Sequence, residues 1–217
     1  DDYEQIKTKI SDAVDRFDLV IVNAGSSAGT EDYTVHVLRE LGEVIVHGVS
    51  IKPGKPVILA IVRGKPVIGL PGYPVSAYIG FENFVIPVLQ LMGRRREKTA
   101  ETVEAHISRR LVSSLKHKEY VRVKVGKVDD KFIASPLARG AGAAMSLVRA
   151  DGFCIIEQSS EGVEAGDRVQ IELYRSRDEI EKTAVVIGSH DLILDVMADM
   201  LAENYDDVFI SSTHVGS

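Results

Sequence analysis

At 217 residues the chain has room for one large domain or two smaller ones, and 45% hydrophobic residues supply a core of ordinary size. With 26 basic against 32 acidic residues the formal charge is −6. That leaves no basic surplus to neutralise phosphates over a broad nucleic-acid face, so any anion site is local. A single cysteine, Cys154, excludes an intrachain disulfide and favours a cytoplasmic setting; it reads as a small buried hydrophobe. No apolar run reaches the roughly 18 residues of a membrane helix, and no signal-like segment opens the chain.

Ile6, Ile10, Val14 and Phe17 recur at helical spacing and predict an amphipathic helix over 3–17. Asp18–Val22 is a continuous apolar run, as in a strand buried on both faces. The small, polar loop Asn23–Tyr33 comes next, then a helix from about Asp32 to Leu41 with Val35, Leu38 and Leu41 inward, ended by Gly42. Val44–Val49, Val57–Val62 and Val67–Leu70 read as strands. Alternating strand and helix suggests βαβ units around a parallel sheet, with ligands at the carboxyl ends of strands. Pro74 opens a helix whose broad apolar face carries Tyr78, Phe81, Val85, Val88, Leu89 and Met92, and Pro87 should kink or break it. Arg94-Arg-Arg96 reads as a solvated linker.

Beyond it the character changes. Thr102–Ile107, Glu119–Val125, Lys131–Ser135, Gly152–Glu157 and the end of Val163–Leu173 alternate as short strands, the pattern of a small β-sandwich or barrel. A helical turn is expected around Met145–Val148. The tail returns to β-α-β: Ala184–Gly188, a helix over His190–Asn204, then Val208–Ser211. The expected divisions are 1–94, an α/β unit; 95–176, a small all-β unit; and 177–217, a linker with the start of a further α/β domain. Both ends fall inside structural patterns, so the chain reads as part of a longer protein.

Three stretches carry candidate chemistry. In the loop after the first strand, Gly25 and Gly29 allow close backbone approach. Ser26 and Ser27 offer hydroxyls, and Asp32 could hold Mg²⁺ or simply cap the next helix. Lys52-Pro-Gly-Lys55 sets two cations on a tight turn. Gly69-Leu-Pro-Gly-Tyr-Pro-Val-Ser76 places Pro71, Gly72 and Ser76 where a helix begins, and a free helix N-terminus beside lysines is an anion site in outline. In the tail, Ser189-His-Asp191 and Ser211-Ser-Thr213 suit plain capping better than ligand binding.

In that order, Gly25–Tyr33, Ile51–Pro56 and Gly69–Ser76, continued by Gly140–Ala150 and Glu164–Asp167, resemble the signatures of the MoeA-like molybdopterin molybdenumtransferases, the family of gephyrin's C-terminal domain. The resemblance spans about 1–175. It implies a three-layer molybdopterin-binding domain of MogA type followed by the small β domain. It also implies insertion of molybdate or tungstate into adenylylated molybdopterin with release of AMP, aided by Mg²⁺, in a cytoplasmic homodimer. Asp32, Lys52 and Lys55 would be catalytic, with Asp32 the metal ligand. Gly25, Ser26, Ser27, Gly29, Pro71, Gly72, Ser76 and Ser146 would bind the molybdopterin substrate or the oxyanion. The family's usual residues differ at Ala24–Ser27, at Tyr73 and near Ala143-Ala144. Its N-terminal domains and first strands are missing here, so the chain alone is expected to be inactive. From about Thr183 the tail resembles the opening of a periplasmic-binding-protein-like domain. A molybdopterin adenylyltransferase and a non-catalytic molybdopterin or oxyanion-binding scaffold are the alternatives.

Overall fold

The computed structural model describes residues 2–23, 33–95, 100–137, 139–140, 144–188, 191–204 and 209–214. The chain divides into two compact units, Asp1–Glu97 and Lys98–Ser217.

In the first unit α1 (Tyr3–Arg16) starts at Asp2, whose carboxylate accepts the Glu4 and Gln5 N–H groups at 3.0 and 3.3 Å, so two of the orphan donors at a helix start are satisfied. β1 (Val20–Asn23), α2 (Tyr33–Leu41), β2 (Glu43–His47), β3 (Ile51–Lys52), β4 (Ile58–Val62) and β5 (Lys65–Leu70) come after it. The sheet runs β1-β5-β4-β2. Only β1 and β5 are parallel; β4 is antiparallel to both β5 and β2. The sheet is therefore mixed rather than parallel. The cause lies at Arg63-Gly64, where φ is 52° and 76°: two successive left-handed residues make the tight turn that joins antiparallel strands. Arg63 Nη2 donates to Ser11 Oγ at 2.8 Å and Lys65 Nζ to the Val14 carbonyl at 2.7 Å. The hairpin is thus tied to α1, and an orphan carbonyl at its C-terminus is satisfied.

Alternation along the strands separates two cores. Ile58, Ala60, Val62, Val20 and Val67 pack with Ile10 and Val14 of α1 and Val35 and Leu38 of α2. Ile68 and Leu70 face the other way, with Leu59, onto Phe81, Val85 and Val88. Helices on both faces of the sheet make three layers. Phe17, expected inward, lies beyond the end of α1 and is 54% exposed.

The second helical layer is α3 (Pro74–Gly80), a π-helical turn Phe81–Val85, and α4 (Ile86–Met92). Pro87 answers for the interruption. Its ring would meet the Asn83 carbonyl, and it has no N–H to donate there. The helix widens by one residue instead, so Ile86 N–H bonds to the Phe81 carbonyl, the pairing of a π-bulge. The run Pro74–Met92 is long and apolar enough to span a membrane by length and composition, contrary to the expectation that no such run exists. Val75, Ile79 and Val85 are no more than 1% exposed, so this side of the run packs into the first unit. Leu89 and Met92, expected on the inner face, are 44% and 45% exposed.

In the second unit β6 (Glu101–Ile107), β7 (Leu111–Val112), β8 (Lys118–Val128), β9 (Lys131–Pro136), α5 (Ala144–Arg149), β10 (Gly152–Ile156), β11 (Gly162–Val163) and β12 (Arg168–Leu173) precede α6 (Arg177–Glu181), β13 (Thr183–Gly188), α7 (Leu192–Asn204) and β14 (Phe209–His214). β10, β12, β6, β9 and β8 pair in turn, and β8 pairs again with β10, so the sheet closes into a barrel. Val103, Ala105, Ile107, Val121, Val123, Val125, Ala134, Cys154 and Ile171 fill it. Ile180 of α6 joins this core, and a capping box of Ser176 with Glu179 starts that short helix. β13 and β14 are parallel, joined through α7, the β-α-β order expected of the tail. A β-carbon at Gly126 of β8 would come within 2.9 Å of Val185 Cβ, which places β13 directly on the barrel wall.

Candidate functional site

β1 and β5 run side by side with Asn23 opposite Leu70, so the segments leaving both strands emerge at one edge of the sheet. Ile58 lies opposite Gly69, and His47 opposite Ile58. The same edge therefore holds the end of β2 and the start of β4, and with it the lysine turn. The turn follows the carboxyl end of β2, where it was expected, and leads into the amino end of β4, which runs antiparallel. Gly48 N–H donates to the Val57 carbonyl and Val49 N–H to the Lys55 carbonyl, each at 2.8 Å, which fastens the turn to the strand behind it. The Lys52–Pro53 peptide is cis.

Gly54 is buried with φ at 116°, a conformation that excludes a side chain. A β-carbon there would stand 3.1 Å from Ile51 Cδ1 and 3.5 Å from the Ser76 carbonyl oxygen. The Pro-Gly turn thus packs against the first turn of α3. At Gly80 a β-carbon would approach Leu70 Cδ2 to 3.0 Å and Val57 Cγ2 to 3.2 Å, which seats the helix close on the sheet.

Lys52 and Lys55 are exposed on this turn. Pro71 is buried and Gly72 exposed just ahead of the helix. Tyr73 takes the N-cap position in an extended conformation and gives no side-chain cap. Ala77 N–H is the first to bond back, to the Tyr73 carbonyl at 2.8 Å, so the N–H groups of Val75 and Ser76 precede the intrahelical ladder. Ser76 is 4% exposed and Tyr73 65%: the tyrosine presents its ring to solvent while the serine is held beneath the turn. Two cations beside a helix start suit an oxyanion. Burial, with Glu82 nearby, raises the Tyr78 phenol above its ordinary pKa.

Lys52, Lys55, Pro71, Gly72 and Ser76 therefore gather at one edge of the first unit. Gly25, Ser26, Ser27, Gly29 and Asp32 lie outside the described residues, so the Mg²⁺ assignment rests on the loop's composition. Among the described residues no group of three or more His, Cys, Asp or Glu is placed to hold a metal. Ser146 belongs to the second unit, on α5, and is 8% exposed.

Sequence reasoning passed over a set of buried charges in the second unit. Glu119, Arg122, Lys124 and Asp151 are 3%, 2%, 4% and 1% exposed. Alternation along β8 marks Arg122 and Lys124 as opposite in face to Val121 and Val123, but not that this outer face is covered. Arg122 Nη2 donates to the Gly140 carbonyl at 3.3 Å, and burial lowers its pKa from the ordinary value. Glu119 accepts from Ser113 at 2.9 Å and from Arg139 at 3.3 Å.

Residues 1–91 match the family model for a probable molybdopterin binding domain, and residues 104–174 match that for the MoeA C-terminal region (domain IV). The chain belongs to the MoeA-like molybdopterin biosynthesis family. A putative molybdopterin biosynthesis protein of Methanocaldococcus jannaschii is 37% identical over 175 residues, 81% of this chain and 41% of that protein. A molybdopterin molybdenumtransferase of Haemophilus influenzae is 30% identical over 158 residues, 71% of this chain and 39% of the other. The crystal structure of a molybdopterin biosynthesis MoeA protein from Pyrococcus superposes with a TM-score of 0.65 at 36% identity, covering 81% of this chain and 42% of that one. The chain thus spans less than half the length of these relatives. The three-layer unit followed by a β domain is the arrangement of domains the resemblance implied.

Proposed function

We propose that the whole protein acts in molybdenum cofactor biosynthesis as a molybdopterin molybdenumtransferase: it hydrolyses adenylylated molybdopterin, inserts molybdate or tungstate into the dithiolene, and releases AMP. The observation that carries this reading is the meeting of Lys52, Lys55 and the uncapped start of α3 at one sheet edge. The lysines bind the phosphates or the metal oxyanion as point charges. Gly54 allows the turn that carries them to lie against α3, where the helix dipole adds partial positive charge. Asp32 holds Mg²⁺, and Ser76 and Ser146 bind substrate oxygens. Relatives named molybdopterin molybdenumtransferase support the reaction class. The protein works as a cytoplasmic homodimer, and the tail from Thr183 begins a periplasmic-binding-protein-like domain.

The test is AMP release from adenylylated molybdopterin, with molybdate and Mg²⁺, by the whole protein and its variants. Removing one contact to a charged group costs about 1.5–3 kcal/mol, so Lys52→Ala and Lys55→Ala each lose roughly tenfold to a hundredfold in turnover or molybdate affinity. Asp32→Asn keeps capping ability while deleting charge, and it abolishes Mg²⁺-dependent insertion with the melting temperature held. Full turnover by the folded Asp32→Asn protein would overturn the assignment of Asp32, and full turnover by both lysine variants that of the turn.

A further inference from the structure

α5 buries little apolar surface. It is a helix of six residues, too short to be stable in isolation. Met145 and Val148 are 60% and 75% exposed, and only Ser146 is buried. The chain just past its C-terminal end is held far more firmly. Asp151 is 1% exposed, and its carboxylate collects three donors. Lys124 Nζ at 2.7 Å and Arg175 Nη1 at 2.9 Å both reach Oδ1, while Val125 N–H reaches Oδ2 at 2.8 Å. The Asp151 backbone also donates to the Val123 carbonyl at 2.9 Å and accepts the Tyr174 N–H at 3.1 Å. One residue thus ties the end of α5 to the middle of β8 and to the exit of β12. The last turn of α5 closes on the same point, through Ala150 N–H to the Ser146 carbonyl at 3.1 Å. Tyr174 Oη also donates to the Leu147 carbonyl at 3.0 Å, from a residue that Asp151 itself anchors.

We propose that Asp151 is the positioning residue of the helix carrying Ser146: its carboxylate latches α5 to the barrel wall, and without it α5 opens as a unit while the barrel stays closed. Charge-assisted hydrogen bonds are stronger than neutral ones, and Lys124, 5% exposed at its side chain, has no water to turn to when the carboxylate is gone. With Met145 and Val148 exposed, α5 leans on these charge-assisted bonds more than on apolar contacts, which favours local over global opening. The role assigned to Ser146 rests on the proposed function; the latch itself is tested without any ligand.

The experiment is amide hydrogen exchange on the chain and on Asp151→Asn. The amides of Leu147–Ala150 should exchange roughly tenfold faster or more in the variant, the loss of one bond to a charged group, while those of Val103, Val121 and Ile171 change little. Unchanged exchange in α5, or equal acceleration throughout the barrel, would overturn the latch. If Asp151→Asn does not fold, Asp151→Asn with Lys124→Met removes the buried pair together and leaves Arg175, part-exposed, facing Glu179 at 3.6 Å; the same contrast between α5 and barrel amides is then read. Adding molybdate distinguishes the two ideas. Protection of α5 in the wild type supports Ser146 as an oxyanion residue. No protection counts against that reading and leaves the latch to be judged on the exchange contrast alone.

Discussion

Cys154 shows how burial sets chemistry for a single side chain. It is 1% exposed inside the barrel, and desolvation pushes its thiol up to about 11 from 9.0, because the thiolate loses its hydration there. The folded state holds the proton more tightly than the unfolded state. Stability from this group is therefore complete below about pH 9 and falls as pH rises towards 11, by about 2–3 kcal/mol. Denaturant melts of wild type and Cys154→Ala between pH 9 and 11 should show a shallower fall in the variant. Gly54 works through the backbone instead. At φ 116° even alanine is strained, and its methyl would press on Ile51, so Gly54→Ala should displace the lysine turn and weaken molybdate binding in the whole protein. Titration calorimetry on that variant, with its melting temperature as control, checks this.

Arg63-Gly64 governs an element in the same way. A β-carbon at Gly64 would meet nothing within 4 Å, so Gly64→Ala costs only the left-handed backbone term, about 1 kcal/mol, measurable as a lower urea midpoint with an unchanged slope. Ser176→Ala removes half of the α6 capping box and should cost about 1 kcal/mol as well. Much of the fold was legible at this scale. Ile10, Val14, Val35 and Leu38 were placed on helix faces by period alone, and the strands of the barrel by alternation. What misled was the order of helices and strands, which suggested a parallel sheet although Arg63-Gly64 stood between two apolar runs as a hairpin signal. Leu89 and Met92 were turned outward by the extra residue that Pro87 forces into the helix, a shift that counting in threes and fours does not register. The turns of the candidate site were legible where glycines and prolines mark them, at Lys52–Lys55 and Pro71–Gly72. The Lys124–Asp151–Arg175 cluster was not, because its members are far apart in sequence and charged strand residues read as solvent-facing.

At the scale of the whole molecule, the two units differ in how their sheets end. The barrel closes on itself through β8 and β10, whereas the β1-β5-β4-β2 sheet is open. Arg94 and Arg95 are exposed just before the division at Glu97, so we expect limited trypsin treatment to cut there first and to leave two fragments, with the larger resisting further digestion; mass spectrometry of a time course would reveal any earlier cut within the barrel. The mixed order of the open sheet has a consequence in time. β5 has one neighbour, β4, two residues away around Arg63-Gly64, and another, β1, that pairs Val20 with Val67. Closing the longer loop costs more chain entropy before any contact rewards it, so the hairpin assembles early and β1 docks late. In stopped-flow folding Gly64→Ala should then slow the refolding limb, while Val20→Ala chiefly quickens unfolding.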